Sequence, residues 1–149
     1  MALEFDELEE YVMAEMSSTY TETVIDHAMN PRNAGSMPNA DGYASLIGPC
    51  GDTMKIWLRV TEVGVVNATF WTDGCGPSIA CGSMATELVI GKSTAEAMQI
   101  TQENILNSLG GLPEESLHCA LLTAKTLKAA LRDYIALKNE PWKRAYRSV

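Results

Sequence analysis

The chain has 149 residues, of which 46% are hydrophobic and 20% are charged, and its formal net charge is −8. This length and composition favour one globular domain with a sizeable core and exclude a disordered chain. The negative charge argues against sequence-independent binding of nucleic acid and of anionic membranes. Every apolar run falls well short of the roughly 20 residues that span a bilayer.

The two ends of the chain carry opposite charge. The first ten residues, MALEFDELEE, hold five acidic side chains and no basic one, the reverse of a secretory signal or a transit peptide. We therefore expect a cytoplasmic protein, built as a single domain over residues 1–149. Its folded core is predicted over 17–138, between an acidic extension at 1–16 and a basic tail at 139–149. The tail is interpreted as a solvated end or, alternatively, as a docking handle for an acidic partner.

Two helices and a loop are predicted before residue 42. Apolar residues in Leu3–Met13 recur at spacings that a short amphipathic helix uses. A second helix is predicted over Thr19–Met29 and ends at Asn30-Pro31, since proline disfavours helical geometry in the residue before it. Residues 30–42 are rich in Asn, Pro and Gly and are predicted to form a loop.

The middle of the chain is predicted to be an antiparallel sheet. Residues 54–61 alternate between apolar and more polar side chains, which predicts a strand with one buried face that holds Met54, Ile56, Leu58 and Val60. A similar alternation places Val66, Ala68 and Phe70 on one face of the next strand. The short link at Val63-Gly64 predicts a hairpin, and Tyr43–Ile47 supplies a third strand.

The remainder is predicted to be helical. Pro77 suits the first turn of a helix that reaches Ile90, and Ser93 begins a capping box for a short helix. Another short helix follows Thr101, and a long C-terminal helix runs over about 113–138. Strands followed by helices indicate an α+β fold, a three-stranded antiparallel sheet with helices packed on one face. The apolar stripe of the long helix comprises Leu117, Leu121, Ala124, Leu127, Leu131 and Ile135.

Three of the four cysteines lie at the ends of predicted elements. Cys50 lies in a glycine-rich loop before a strand, where the backbone can approach a bound ion closely. Cys75 precedes a helix, and Cys119 follows His118 in the first turns of another. The positive end of a helix favours the thiolate, which binds metal and attacks sulfur, so we expect a lowered pKa for the Cys119 thiol. Cys81 lies among small residues and is interpreted as structural.

The cysteines do not form the usual metal or redox motifs. They contain no CxxC pair, which excludes zinc-ribbon and thioredoxin-like sites on spacing. A tetrahedral zinc ion or a [2Fe–2S] cluster needs four protein donors, which three thiols and either His118 or Asp52 would supply. The sequence leaves open which of the two is the fourth. Taken singly, each residue also has a structural interpretation, since free cysteines are commonly buried as small hydrophobes.

Short motifs in a fixed order resemble the IscU/NifU-type iron–sulfur cluster scaffold proteins over residues 19–137. Each motif is weak alone, and their order and spacing together are specific. The motifs are Tyr20, Val24-Ile25-Asp26-His27, Asn30-Pro31-Arg32-Asn33, Gly35, Cys50-Gly51-Asp52, Met54-Lys55, Gly74-Cys75-Gly76, Thr86-Glu87, Gly91-Lys92-Ser93, Leu112-Pro113 and His118-Cys119.

The resemblance implies a scaffold and carrier rather than an enzyme, on which a transient [2Fe–2S] cluster is assembled and then transferred. It implies that Cys50, Cys75 and Cys119 are cluster ligands, that His118 is a candidate fourth ligand, and that Asp52 beside the site makes the cluster labile. Cys119 is the predicted persulfide acceptor. The implied partners are a cysteine desulfurase of the IscS/NifS type, iron and electron donors such as ferredoxin, and apo iron–sulfur proteins or carriers. Binding of Zn²⁺ by the same ligands is also implied.

Two features depart from the family pattern. The segment Leu112–Ser116 lacks the second proline and the lysine that are expected and carries two acids, Glu114 and Glu115, which argues against handling by a dedicated Hsp70-type chaperone. Cys81 stands where Ser or Ala is expected, so a role as a spare sulfur acceptor stays open. The oligomeric state also stays open, a homo-oligomer included.

Two other functions are weighed against the scaffold. One is a zinc-dependent sulfurtransferase that relays persulfide without building a cluster. Its relatives carry an insertion between the second and third ligand cysteines and lack the histidine, and this chain shows neither difference. The other is a structural zinc domain, which would unfold when zinc is removed.

Overall fold

The computed structural model describes residues 19–146, and the helix predicted at Leu3–Met13 lies outside them. The elements in chain order are α1 (Glu22–Met29), β1 (Gly42–Ile47), β2 (Thr53–Thr61), β3 (Gly64–Thr72), α2 (Gly76–Val89), α3 (Thr94–Ala97), α4 (Gln102–Leu109) and α5 (Leu117–Asn139). Short 3₁₀ helices at Glu114–Ser116 and Pro141–Tyr146 flank α5. The strands form one antiparallel sheet in the order β1-β2-β3, which confirms the predicted α+β fold.

The core lies between one face of the sheet and the helices α2 and α5. The inward side chains of β2 are the four predicted ones, and Phe70 of β3 packs with them. The stripe predicted on α5 is right for Ala124, Leu127 and Leu131, which are buried. It is wrong for Leu121 and Ile135, which are 39% and 37% exposed, because the buried face of α5 is centred on residues such as Thr123 and Ala130.

A β-bulge changes the predicted face of β3. Arg59 pairs with Asn67 while Val60 pairs with Val65, so Val66 is an extra residue on its strand. Val65 rather than Val66 therefore enters the core, and Val66 is exposed. Strict alternation along β3 predicts the wrong residue at this one position.

The second face of the sheet is partly covered. Trp57, on the side opposite the main core, is buried with Met37 and Ala40 of the preceding loop and packs against Tyr43 at a ring-centroid distance of 5.3 Å. The loop therefore covers one end of this face, whereas Ile47 is 73% exposed.

Polar side chains fasten the loop after α1 to α2. The Ser83 hydroxyl lies 2.7 Å from Nδ1 of His27 and accepts the backbone N–H of Arg32 at 2.9 Å. The Asn33 side chain donates to the Thr86 hydroxyl at 3.1 Å. Several residues of the motif around Asn30-Pro31 therefore serve the fold, and they hold α2 in place against the loop.

The last described residues fold back on the domain. Arg144, predicted in the basic tail, lies 3.1 Å from the Asp41 carboxylate and donates to the Asn39 carbonyl at 3.0 Å. Lys143 pairs with Glu140. Within residues 19–146, no helix has both the length and the apolar character needed to cross a bilayer.

Candidate functional site

The Cys50 side chain lies at the tip of a tight turn between β1 and β2. The Gly51 N–H donates to the Gly48 carbonyl at 3.0 Å, and the Gly48 N–H donates to the Asp52 carbonyl at 2.8 Å. Gly51 has a φ of +85°, a conformation that glycine adopts without strain. The turn leaves the Cys50 thiol exposed.

Cys75 occupies the N-cap position of α2. Its backbone is extended, its side chain makes no capping hydrogen bond, and a proline follows in the first turn of the helix. The thiol is therefore free of the helix backbone, and it is exposed. The preceding residue, Gly74, packs closely: a Cβ there would lie 2.5 Å from the Ser78 hydroxyl and 3.0 Å from Oδ2 of Asp52. The Asp52 carboxylate thus faces the connection that carries Cys75.

His118 and Cys119 lie in the first turn of α5. His118 is half-buried and Cys119 is 2% exposed. The His118 Nε2 atom lies 3.3 Å from Sγ of Cys50 and 3.6 Å from Sγ of Cys119. One imidazole nitrogen therefore contacts two thiols, one from the turn between β1 and β2 and one from α5.

These separations suit a shared ion. With bonds of about 2.0 Å to nitrogen and 2.3 Å to sulfur, adjacent donors of a tetrahedral ion lie about 3.5 Å apart. The two measured contacts lie on either side of that value. In residues 19–146, however, no three His, Cys, Asp or Glu side chains form a group that could hold a metal ion as they stand. The donors are gathered at one end of the molecule, and closing around an ion requires local movement.

The predicted pKa of Cys119 is wrong in direction. Burial raises the pKa of the Cys119 thiol, and the negative charges of Cys75, Asp52 and Cys50 raise it further. The Ser78 hydroxyl, which donates to Sγ of Cys119 at 3.4 Å, opposes this rise in pKa. The cost of removing the thiolate from water outweighs the stabilisation of the thiolate by the positive end of the helix, on which the prediction rested.

Cys81 lies in the packed interior of α2. It is fully buried, and burial strongly raises the pKa of its thiol. The nearby Cys119 and Cys75 add to that rise in pKa, so Cys81 lies close behind the site. A thiol that is protonated and screened from solvent suits the structural interpretation and not the one of a spare sulfur acceptor.

Ser78 was not predicted as part of the site, and Gly74 was identified only as part of a motif. Ser78 contacts Cys119, and Gly74 leaves the space that Ser78 and Asp52 occupy. Ser78 lies three residues after Cys75 on α2, which places both on one side of the helix. That spacing was the available signal, although it does not show that α5 lies opposite.

Relatives and solved structures bear on this site. Residues 19–141 match the NifU-like N-terminal domain family. The "iron-sulfur cluster assembly scaffold protein IscU 1" of Archaeoglobus fulgidus is 42% identical over 116 residues, which cover 77% of this chain and 76% of that protein. The protein named "iron-sulfur cluster assembly scaffold protein IscU" in Escherichia coli K12 is 44% identical over 120 residues, which cover 77% of this chain and 93% of that protein.

The fold agrees with these relatives. The crystal structure of a NifU-like protein (N-terminal) from Brucella abortus superposes with a TM-score of 0.62 over 81% of this chain and 97% of that one, at 18% identity. It supports the fold alone. Because the family match spans nearly all of the described residues and includes Cys50, Cys75 and Cys119, the chain belongs to the NifU-like N-terminal domain family.

Proposed function

We propose that this protein is a scaffold on which an iron–sulfur cluster is assembled and from which it is transferred to other proteins. The relatives named as IscU scaffolds support this role. The observation that carries it is the His118 imidazole, which lies within 3.6 Å of the thiols of both Cys50 and Cys119. Soft sulfur donors with one imidazole favour iron–sulfur and zinc chemistry over magnesium or calcium.

The proposed cargo is a [2Fe–2S] cluster held by Cys50, Cys75 and Cys119. The fourth donor is His118 or Asp52, and His118 is favoured because its Nε2 atom lies within 3.6 Å of two thiols. A cluster with one ligand other than a thiolate is bound less firmly than one held by four cysteines. That property suits a protein that must release its cargo.

We propose Cys119 as the acceptor of sulfur from a cysteine desulfurase. Its thiolate attacks the terminal sulfur of the desulfurase persulfide, a new S–S bond forms on Cys119, and the desulfurase cysteine leaves as thiolate. Two electrons from a ferredoxin-type donor then reduce the bound sulfur to sulfide and regenerate the Cys119 thiolate. Since Cys119 is 2% exposed, the site must open for this attack.

Anaerobic reconstitution tests the scaffold function. The protein is incubated with ferrous iron, cysteine and a desulfurase, and its visible spectrum is followed. We expect sulfide-to-iron charge-transfer bands that are lost in Cys50→Ser, Cys75→Ser and Cys119→Ser. Cys81→Ala is the control and should keep the bands, because Cys81 is buried in the interior behind the site and is not one of the proposed ligands.

Two outcomes of this experiment would contradict the scaffold. Persulfide on the protein without colour would indicate a sulfur relay. No reaction at all, together with unfolding when zinc is chelated, would indicate a structural zinc domain.

A further inference from the structure

A groove between α4 and α5 is lined by both apolar and basic side chains. It has a volume of about 510 Å³. Thr101 and the α4 residues Gln102 and Glu103 lie on one wall, and Leu121, Ala124, Lys125 and Lys128 of α5 lie on the other. The Gln102 side chain donates to the Leu117 carbonyl at 3.1 Å, which fixes this end of α4 against α5. Leu121, exposed against prediction, lies on this groove.

The basic residues of the groove continue along α5. Lys125, Lys128 and Arg132 follow Leu121 at steps that keep them on one side of the helix. None of these three cations forms an ion pair within residues 19–146. By contrast, Arg32 pairs with Asp26, and Arg144 pairs with Asp41. The outer side of α5 is thus a basic stripe, and Glu103, the acid that lines the groove, forms no ion pair with it within residues 19–146.

The complementary acids are concentrated in the first 18 residues. This segment holds six of the nineteen acidic residues of the chain and none of its eleven lysines and arginines. The acids are interleaved with large apolar side chains, among them Leu3, Phe5, Leu8 and Tyr11. An acidic and apolar segment matches a groove that is partly apolar and has two lysines against one glutamate.

The chain enters the described domain within reach of the groove. The Thr21 hydroxyl donates to the Leu109 carbonyl at 2.5 Å, so residue 21 lies at the C-terminal end of α4. Gln102 lies at the other end of this 8-residue helix, about 12 Å away along its axis. A segment of 18 residues spans about 27 Å as a helix and up to about 60 Å when extended.

We propose that the acidic N-terminal segment, residues 1–18, docks in the groove between α4 and α5. Its carboxylates face Lys125 and Lys128, and its apolar side chains cover Leu121 and Ala124. A second groove, of about 500 Å³, includes Leu88 and Ile100 but offers one lysine and one glutamate, Lys92 and Glu96. The groove between α4 and α5 has two lysines against one glutamate, so an acidic segment favours it over a groove with one of each.

Zero-length carbodiimide cross-linking tests the docking in the full chain. We expect amide links from acids of residues 4–15 to Lys125 or Lys128. In an equal mixture of ¹⁴N- and ¹⁵N-labelled protein, the linked peptides should be of one isotope, as an intramolecular contact requires. The links should weaken in about 1 M salt, where the Debye length is about 3 Å. Links that join the two isotopes, or that go to Lys92 instead, would overturn the proposal.

Limited proteolysis with a glutamate-specific protease gives an independent measurement. We expect Lys125→Glu/Lys128→Glu to speed cleavage within residues 1–18 by about tenfold, since it replaces attraction by repulsion. Lys125→Arg/Lys128→Arg should abolish the cross-links and keep the protection, because it retains the charge without the amines. The matched control, Lys92→Glu/Lys138→Glu, makes the same change of charge elsewhere. Equal cleavage rates in all four proteins would refute the docking.

Discussion

At the scale of single residues, Cys119 differs from the other proposed ligands in its access to water. Cys50 and Cys75 are exposed, whereas Cys119 is buried and burial raises the pKa of its thiol. The Ser78 hydroxyl is the group that opposes this rise in pKa. Ser78 therefore acts as a positioning residue that stabilises the Cys119 thiolate by a hydrogen bond.

Ser78→Ala should make the Cys119 thiol harder to ionise. The variant loses the hydrogen bond to the thiolate, so the pH at which Cys119 becomes reactive should move upward from a value that already exceeds that of an ordinary thiol. Alkylation of the metal-free protein by iodoacetamide, followed by mass spectrometry of the Cys119 peptide across pH, measures this. Alkylation of Cys50 in the same samples reports any general change in reactivity. An unchanged Cys119 profile would contradict the role of Ser78.

Asp52→Ala should prolong the life of a bound cluster. The carboxylate faces Gly74 and adds negative charge beside thiolates that already repel one another. Without it, a reconstituted cluster should decay several-fold more slowly under identical anaerobic conditions, as followed by its visible absorbance. Asp52→Asn keeps the size and removes the charge, so it should behave like the alanine variant. Decay at the wild-type rate in both would exclude this role for Asp52.

At the scale of elements, the contact between α2 and β3 leaves no space for a side chain at Gly82. A Cβ there would lie 2.7 and 2.8 Å from Cε2 and Cγ of the buried Phe70 ring. Glycine inside a helix normally costs about 0.5–1 kcal/mol relative to alanine. Here the close approach of α2 to the sheet requires it, and this approach also sets the position of Cys75 at the start of the helix.

Gly82→Ala should destabilise the fold, against the usual preference of helices. Overpacking costs typically about 1–3 kcal/mol, which exceeds the gain in helix propensity and gives a net loss of about 1–2 kcal/mol in the free energy of unfolding. Urea unfolding measures this loss as a lower midpoint, provided that the dependence of the free energy of unfolding on urea concentration keeps the same slope. Gly76→Ala is the control, because the nearest atom to its added Cβ is 3.8 Å away. Equal midpoints for the two variants would contradict the packing argument.

Local patterns predicted the elements better than they predicted what covers them. The period-two pattern identified the strands, and capping residues such as Ser93 and Thr101 marked helix starts, because these signals are short-range. Burial of Trp57 was missed because it depends on a loop that folds over the sheet. The bulge at Val66 was missed because register is a property of two strands together.

The candidate site was predicted only in part, because sequence patterns identify its residues but not the packing around them. Its cysteines were identified from short motifs and from the family resemblance, and the structure brings Cys50, His118 and Cys119 into contact. The burial of Cys119 and its contact with Ser78 were not predicted. Both depend on how α2 packs against α5, which no local pattern records.

At the scale of the whole molecule, His27 couples folding to pH. It is buried between α1 and α2 beside the Ser83 hydroxyl, and burial, followed by the charge of Arg32, lowers the pKa of its imidazole. The unfolded chain therefore takes up a proton at a higher pH than the folded one. The contribution of His27 to the free energy of unfolding is therefore fully present above the ordinary histidine pKa of about 6.5. It decreases as the pH falls below that value.

His27→Asn should flatten this dependence. Asparagine can keep a hydrogen bond to Ser83 but does not titrate, so the free energy of unfolding should fall less between about pH 7 and about pH 5 than in the wild-type protein. Urea unfolding at several pH values measures both slopes. The smaller side chain can also lower the free energy of unfolding at every pH by packing less well. The comparison therefore uses only the change in the free energy of unfolding with pH. A slope equal to that of the wild type would show that another group is responsible.

The Cys50 turn rests on α5, which divides the donors into two halves, one supported by α5 and the other carried by α2. A Cβ on Gly48 would lie 3.0 Å from the Leu122 side chain, so one helix supports the turn and also carries His118 and Cys119. Cys75 and Ser78 belong to α2. Cargo bound by thiols of both halves would form a reversible cross-link between the two helices. Ligand binding of this kind raises the stability of the native state. A partner that separates α2 from α5 would then promote release of the cargo by moving its ligands apart.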